Sequence, residues 1–175
     1  METPRPRFAP GLEFPPYTYV PGRAPHPVTD PRGHMFATTA EPVERPDALP
    51  RCRTFLAGID LFNHGYYWEA HEAWERLWIA AGRAGRMADF LKGLIKLAAA
   101  GVKVREGNRR GAERHLTRAA QLFAEVMETT AESSGAELGL NPGVLLEWAR
   151  KPAPEGQHAR EEAMPVFDFV LTPAE

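Results

Sequence analysis

Proline placement constrains this chain more than any other feature. Twelve of its 17 prolines fall within residues 1–50, and none lies between Arg51 and Asn141. Proline lacks a backbone donor and its ring clashes with the preceding helical turn. The first fifty residues therefore cannot be regular helix, whereas the proline-free middle is free to be helical throughout. The leading segment is not a plain flexible tail, because it carries Phe8, Phe14, Tyr17, Tyr19 and Phe36, a residue class that disordered segments usually lack. It reads either as an extended arm docking its aromatics on the rest of the molecule or on a second subunit, or as disorder up to Asp47.

Apolar spacing in the remainder predicts helices. The first runs from Leu49 to Phe62, with Cys52, Phe55, Leu56, Ile59 and Phe62 at helical spacing, and breaks at Asn63-His64-Gly65. The second runs from Tyr66 to Ala81 and ends at Gly82. The third spans Met87 to Arg105 and stops at Gly107-Asn108, a pair that tolerates left-handed backbone. The fourth spans Arg110 to Ala131, with Ala112, Leu116, Ala119, Phe123, Val126 and Met127 on one face. A short fifth helix opens with Asn141 as N-cap and Pro142 at its first position. Val166–Leu171 reads as extended, either packed with the arm or lying on the surface. Short connections between long helices imply antiparallel neighbours. The predicted fold is all-α, an antiparallel bundle of four main helices plus a short fifth. Its organisation is an extended Pro-rich arm over 1–47, a helical bundle domain over 48–150 and an extended tail over 151–175.

Composition narrows the function classes. Hydrophobic residues make up 43% and charged residues 25%, as in ordinary globular domains. A net charge of -2 gives no bulk attraction to nucleic acid or to an anionic membrane. No apolar run approaches the roughly 20 residues that span a bilayer. Neither nucleic acid nor membrane is therefore an expected partner. The single cysteine, Cys52, excludes an intramolecular disulfide and fits a reducing compartment. The start Met1-Glu2-Thr3-Pro4-Arg5-Pro6 lacks the basic and apolar stretches of a secretory signal, so the expected location is cytoplasmic. Exchange of the aromatic arm between subunits offers a route to a homodimer.

The second helix breaks its own pattern. At about 100° per residue, Tyr67, Ala70, Trp74, Leu77 and Trp78 form an apolar arc. His71 falls near the middle of that arc, Glu75 at its edge between Trp78 and Trp68, and Glu72 just beyond. Glu69 and Arg76 are assigned to the opposite, wet face. A carboxylate in an apolar setting needs a partner, an ion or a proton. His71 is the nearest partner for Glu75 by helical spacing, and the same spacing lets one helix present two metal ligands. In the third helix Lys92, Lys96 and Lys103 form a narrow stripe on an otherwise apolar cylinder. That stripe is either the one wet side of a central helix or an internal partner for the acidic edge of the second.

The run Phe62-Asn63-His64-Gly65-Tyr66-Tyr67-Trp68-Glu69-Ala70-His71-Glu72, then Glu75 and Trp78, precedes Leu91-Lys92-Gly93-Leu94-Ile95-Lys96-Leu97-Ala98-Ala99 and Gly107-Asn108 with Gly111-Ala112. This set resembles domain of unknown function family 309, small all-helical proteins of bacteria and archaea. The likeness spans Phe55 to Phe123. It implies a His-x3-Glu-x2-Trp signature at His71, Glu75 and Trp78, with metal binding through it, and names no reaction. Lys92 and Lys96 stand where glutamine is expected about as readily.

Two ligands are too few for a metal. The arm offers His26, Asp30 and His34 at even spacing in a stretch that its prolines hold extended. A docked arm would carry them over the second helix; the alternative is a solvated surface loop. His64 and His115 are further candidates, His115 lying on the flank of the fourth helix's apolar face, while His158 sits among polar residues and is set aside. Mixed nitrogen and oxygen ligands suit zinc, iron or manganese. Glu72 or Glu75 is then the candidate general base of a hydrolysis, with Trp68, Trp78 and Lys96 lining the pocket. The competing reading makes His71 and Glu75 a structural pair. The helices would then form a non-catalytic hairpin scaffold or interaction module, faintly similar to tetratricopeptide-type repeats. The two-histidine zinc-protease helix, phosphate loops and nucleophile elbows are absent.

Overall fold

A computed structural model describes residues 4–129, 135–156 and 162–174. The described residues form five α-helices and no strand: α1 (Arg53–Asn63), α2 (Tyr67–Ala80), α3 (Arg86–Glu106), α4 (Arg109–Glu128) and α5 (Pro142–Ala149). The fold is all-α, and the helices pack chiefly against their sequence neighbours, α1 on α2, α2 on α3, α3 on α4 and α4 on α5. None of the described helices is long and apolar enough to cross a membrane.

Local chemistry sets the boundaries. Leu49–Arg51 is a short 3-10 turn, and Cys52 adopts extended backbone before α1 begins. The continuous first helix expected from Leu49 is thus broken, because Pro50 supports only the opening turn. Gly65, at φ +87, makes the tight reversal into α2 and lies against the backbone of Met164, where a Cβ would fall 2.4 Å from the Met164 carbonyl carbon. Gly107 ends α3 in left-handed backbone, which glycine adopts without steric cost. Asn108 then caps α4 by accepting from the Gly111 amide at 2.8 Å. Asn141 caps α5 in the same way, through the amides of Gly143 and Val144, with Pro142 at the first position. The expected end of the fourth helix at Ala131 falls outside the described residues, as does His158.

Small residues let the helices approach closely. A Cβ at Gly58 would lie 2.2 Å from Nε1 of Trp74, at Gly93 2.5 Å from the Phe123 ring, and at Gly101 2.5 Å from the Tyr67 ring. Trp74 is fully buried and donates its indole N–H to the Phe55 carbonyl at 3.3 Å. The core therefore runs through α1, α2, α3 and α4 around Phe55, Phe62, Trp74, Phe90 and Phe123.

The segments flanking the helices close this core. In the tail, Phe167, Phe169 and Leu171 alternate inward, a two-residue period on extended backbone. The Phe167 ring stacks on Phe62 at 5.6 Å between centroids. Asn63 holds Leu171 as a neighbouring strand would: its side-chain amide donates to the Leu171 carbonyl and accepts from the Leu171 N–H, each at 2.8 Å. The Tyr67 hydroxyl accepts from the Val166 amide at 2.7 Å. Burial pushes the Tyr67 phenol up to about 12. The arm meets the tail through Arg5, which donates to the carbonyls of Phe169 and Phe167.

Candidate metal centre

The buried face of α2 consists of Tyr67, Ala70, Trp74 and Leu77. His71, Glu72 and Glu75 lie beside it, half-buried, with Trp68 and Trp78 at the two ends of the same edge. His71 is thus at the margin of the apolar arc rather than near its middle, and 26% of its side chain is exposed. That exposure admits an ion from solvent without opening the core. One ligand atom from each of His71, Glu72 and Glu75 lies within 4.8 Å of the others. Two ligands of one ion can stand no farther apart than twice a bond of about 2.1 Å. Tetrahedral ligands at that bond length stand about 3.4 Å apart, so rotamer changes of the half-exposed carboxylates would have to draw the widest spacing in by about an ångström or more.

The donor chemistry fits an ion. Nδ1 of His71 stands 3.3 Å from Oε1 of Glu72, yet the pair lacks hydrogen-bonding geometry, and Nδ1 is buried with no hydrogen-bond partner. An orphaned buried imidazole nitrogen facing a carboxylate is a costly arrangement that a shared cation would relieve. Nitrogen and carboxylate oxygen together suit zinc, iron or manganese.

The third and fourth helices line the opposite side. Lys92 leans over Trp78, its Nζ 5.5 Å from the ring centre, and Arg83 reaches the same ring at 5.7 Å. Lys96 and Lys103 are half-buried, and Lys103 pairs with Glu106. The lysine stripe is thus neither fully wet nor fully internal. His115 on α4 is half-buried, and its pKa is held below the ordinary value by burial and then by the charges of Lys96, Lys103, Arg114 and His71.

The arm docks, but it does not bring His26, Asp30 and His34 to the His71 group. His34 donates or accepts at Glu69, Nε2 to Oε1 at 3.1 Å. Asp30 binds Arg32 on the surface. Nδ1 of His26 accepts from the amides of Val28 and Thr29, and its ring packs on Tyr19 and Trp68. His64 hydrogen-bonds the Asp60 carbonyl and packs on Phe14. Trp68 consequently serves as a docking surface for the arm, while Trp74 is core.

The assignment of Glu69 to the wet face is overturned. Glu69 is buried, accepting from the Thr18 hydroxyl at 2.7 Å, from the Tyr19 amide at 2.9 Å and facing His34. The arm runs over this side of α2 as far as Glu41, whose carbonyl takes a hydrogen bond from Arg76. A helix covered on two sides has no simple wet face, so amphipathicity misplaces the second one. Two further anchors escaped sequence reasoning. Asp60 is completely buried and accepts from the amides of Phe8 at 2.7 Å and Ala9 at 2.9 Å and from Arg7 at 3.2 Å. Asn63 holds the tail. Their signal was available: both polar residues interrupt the apolar run Ile59-Asp60-Leu61-Phe62-Asn63, and a buried polar group demands partners.

No curated protein and no solved structure matches the chain. One family does. The match begins in α1, takes in α2 and α3 and ends in α4, so it contains His71, Glu72 and Glu75 together with the anchors Asp60, Asn63 and Glu69. Residues 55–115 match the model of the family described as Domain of unknown function, DUF309.

Proposed function

We propose that this protein binds one divalent metal ion, zinc, iron or manganese, through His71, Glu72 and Glu75. The observation that carries the reading is the convergence of three ligand atoms within 4.8 Å on one half-exposed helix edge. The orphaned Nδ1 of His71 supports it. His71 and Glu75 sit one helical turn apart and Glu72 sits beside them, so all ligands come from a single rigid element and the outward positions are left to water or substrate. Such an ion supplies Lewis acidity and an activated water, which makes metal-dependent hydrolysis the reaction class the site suits best. Trp78 and Lys96 border the space where substrate would lie.

Elemental analysis of the gel-filtered protein tests this directly. Near-stoichiometric metal in the wild type, lost from a His71→Ala variant that melts at the temperature of metal-stripped wild type, is the expected result. Wild-type protein that remains metal-free after reloading would remove the reading. A second reading, a helical scaffold that binds other proteins, draws on the packing of each helix against its sequence neighbours. It requires His71 and Glu75 to matter for folding alone. On that reading His71→Ala lowers the melting temperature and changes no metal content.

A further inference from the structure

A groove lies between α4 and the chain leaving α5, and no residue of α2 lines it. One cavity of about 650 Å³ has Leu116, Ala120 and Ala124 on one side and Ala149 and Ala153 on the other. A second, of about 410 Å³, continues past Leu116, Lys151 and Pro152 to the half-buried Trp148 and to Phe167 and Phe169. The floor is thus apolar, small along the helices and aromatic at one end. An apolar patch rimmed by polar residues marks a surface that another chain covers.

The rim is positive. Arg110, Arg114, Arg118, Arg150 and Lys151 line the groove and the shallow shelf that continues it over α4, against only two carboxylates, Glu113 and Asp168. The whole chain carries a net charge of -2, so this face opposes the charge of the rest. Glu113 is engaged by Arg109, while Arg118 and Lys151 pair with Glu125 and Asp168. The exposed side chains of Arg110, Arg114 and Arg150 have neither a hydrogen bond nor an ion pair among the described residues. Arg110 and Arg114 stand one turn apart on α4, and Arg150 stands on the opposite wall.

We infer that this groove is the docking site of an acidic protein segment, held extended, with an apolar side chain on Trp148 and Phe169 and carboxylates on the arginines. From Arg110 to Ala124 the helix offers about 21 Å at 1.5 Å per residue, which is room for about six extended residues at 3.3 Å each. Both cavities open to solvent, as a passing chain requires, whereas sites for small molecules enclose most of their ligand. The apolar floor supplies the burial. The arginines supply the selection, because charges at a rim speed encounter and exclude like-charged partners more than they add affinity. Their planar fork meets a carboxylate through two parallel hydrogen bonds. The site stands apart from the His71 edge, and its test does not depend on an ion binding there.

The test begins with random peptides of about seven residues, displayed on phage and selected on the full chain. The selected peptide, synthesised with a fluorescein label, is then titrated against wild type, Arg114→Glu with Arg150→Glu, and Arg114→Lys with Arg150→Lys. The expected consensus carries aspartate or glutamate beside one apolar residue. Charge reversal should weaken its binding about tenfold or more, with the melting temperature unchanged because both side chains are exposed. The lysine pair should retain most of the affinity, and added salt should lower it. A consensus without acidic residues, no consensus at all, or equal binding by the reversed variant overturns the inference. A wild-type dimer that the reversal dissolves would give the groove to a second copy and overturn it too. So would single-stranded RNA bound more tightly than the peptide and through the same arginines.

Discussion

Glu69 holds the arm through Thr18, Tyr19 and His34, so its protonation is linked to that docking. Burial raises its pKa above the ordinary 4.5, and the donors around it reverse this only in part. The neighbouring Tyr66 phenol is raised as well, by burial and then by the Glu69 charge. The folded protein therefore holds a proton at Glu69 more tightly than the unfolded chain does. The stability linked to this group is complete below the unfolded pKa and is lost as pH rises through the higher folded value. Urea midpoints measured from pH 4.5 to neutrality should consequently fall less steeply with pH in Glu69→Gln than in the wild type, and parallel curves would exclude the linkage. Asp60 provides the companion case. Asp60→Ala strands a buried backbone donor at Ala9, at about 1–3 kcal/mol, and a half-buried one at Phe8, and a loss smaller than about 1 kcal/mol in chemical denaturation would mean the arm is held elsewhere. At this scale the sequence was legible only in part. His71, Glu72 and Glu75 stand out against their apolar neighbours, whereas the partners of Asp60 and Glu69 lie about fifty residues away, beyond any local pattern.

Helices α2 and α3 show how packing overrides propensity. Glycine inside a helix costs about 1 kcal/mol relative to alanine, yet α3 carries Gly93 and Gly101 at buried positions. The Tyr67 ring explains Gly101, since a Cβ there would lie 2.5 Å from its Cγ and the buried ring has nowhere to go. Overpacking of this kind costs about 1–3 kcal/mol, enough to outweigh the propensity gain. Gly101→Ala should therefore lower the denaturation midpoint, and a variant as stable as wild type would show that Tyr67 can yield. The helices themselves were readable from apolar period and caps, including α5 with its Asn141-Pro142 start and α3 with its nearly continuous apolar surface. The break at Cys52 was not, because a 3-10 turn and a first helical turn share the same spacing of apolar residues over so few positions.

Taken whole, the molecule is a row of helices whose α1–α2 hairpin grips both flanking segments, the arm through Asp60 and Glu69 and the tail through Asn63. The sequence marked Val166–Leu171 as extended, but nothing in its own residues said where it would dock, since its polar partner is supplied by α1. Asn63→Ala should raise hydrogen exchange at the Leu171 amide first and cost about 2–4 kcal/mol, because both backbone groups of a buried residue lose their partners. Exchange at that amide equal to wild type would locate the tail's hold in its phenyl rings instead.

The contact of Arg5 with the carbonyls of Phe169 and Phe167 joins residues separated by 164 and 162 positions. Chain closure grows dearer by about 0.6 kcal/mol for each doubling of the loop. Closing that ring from the unfolded chain therefore costs about 3 kcal/mol more than closing one helical turn. The contact becomes affordable only after the helices between have shortened the path. The order expected in time is therefore helices first, the hairpin's tail and arm next, and the meeting of arm with tail last.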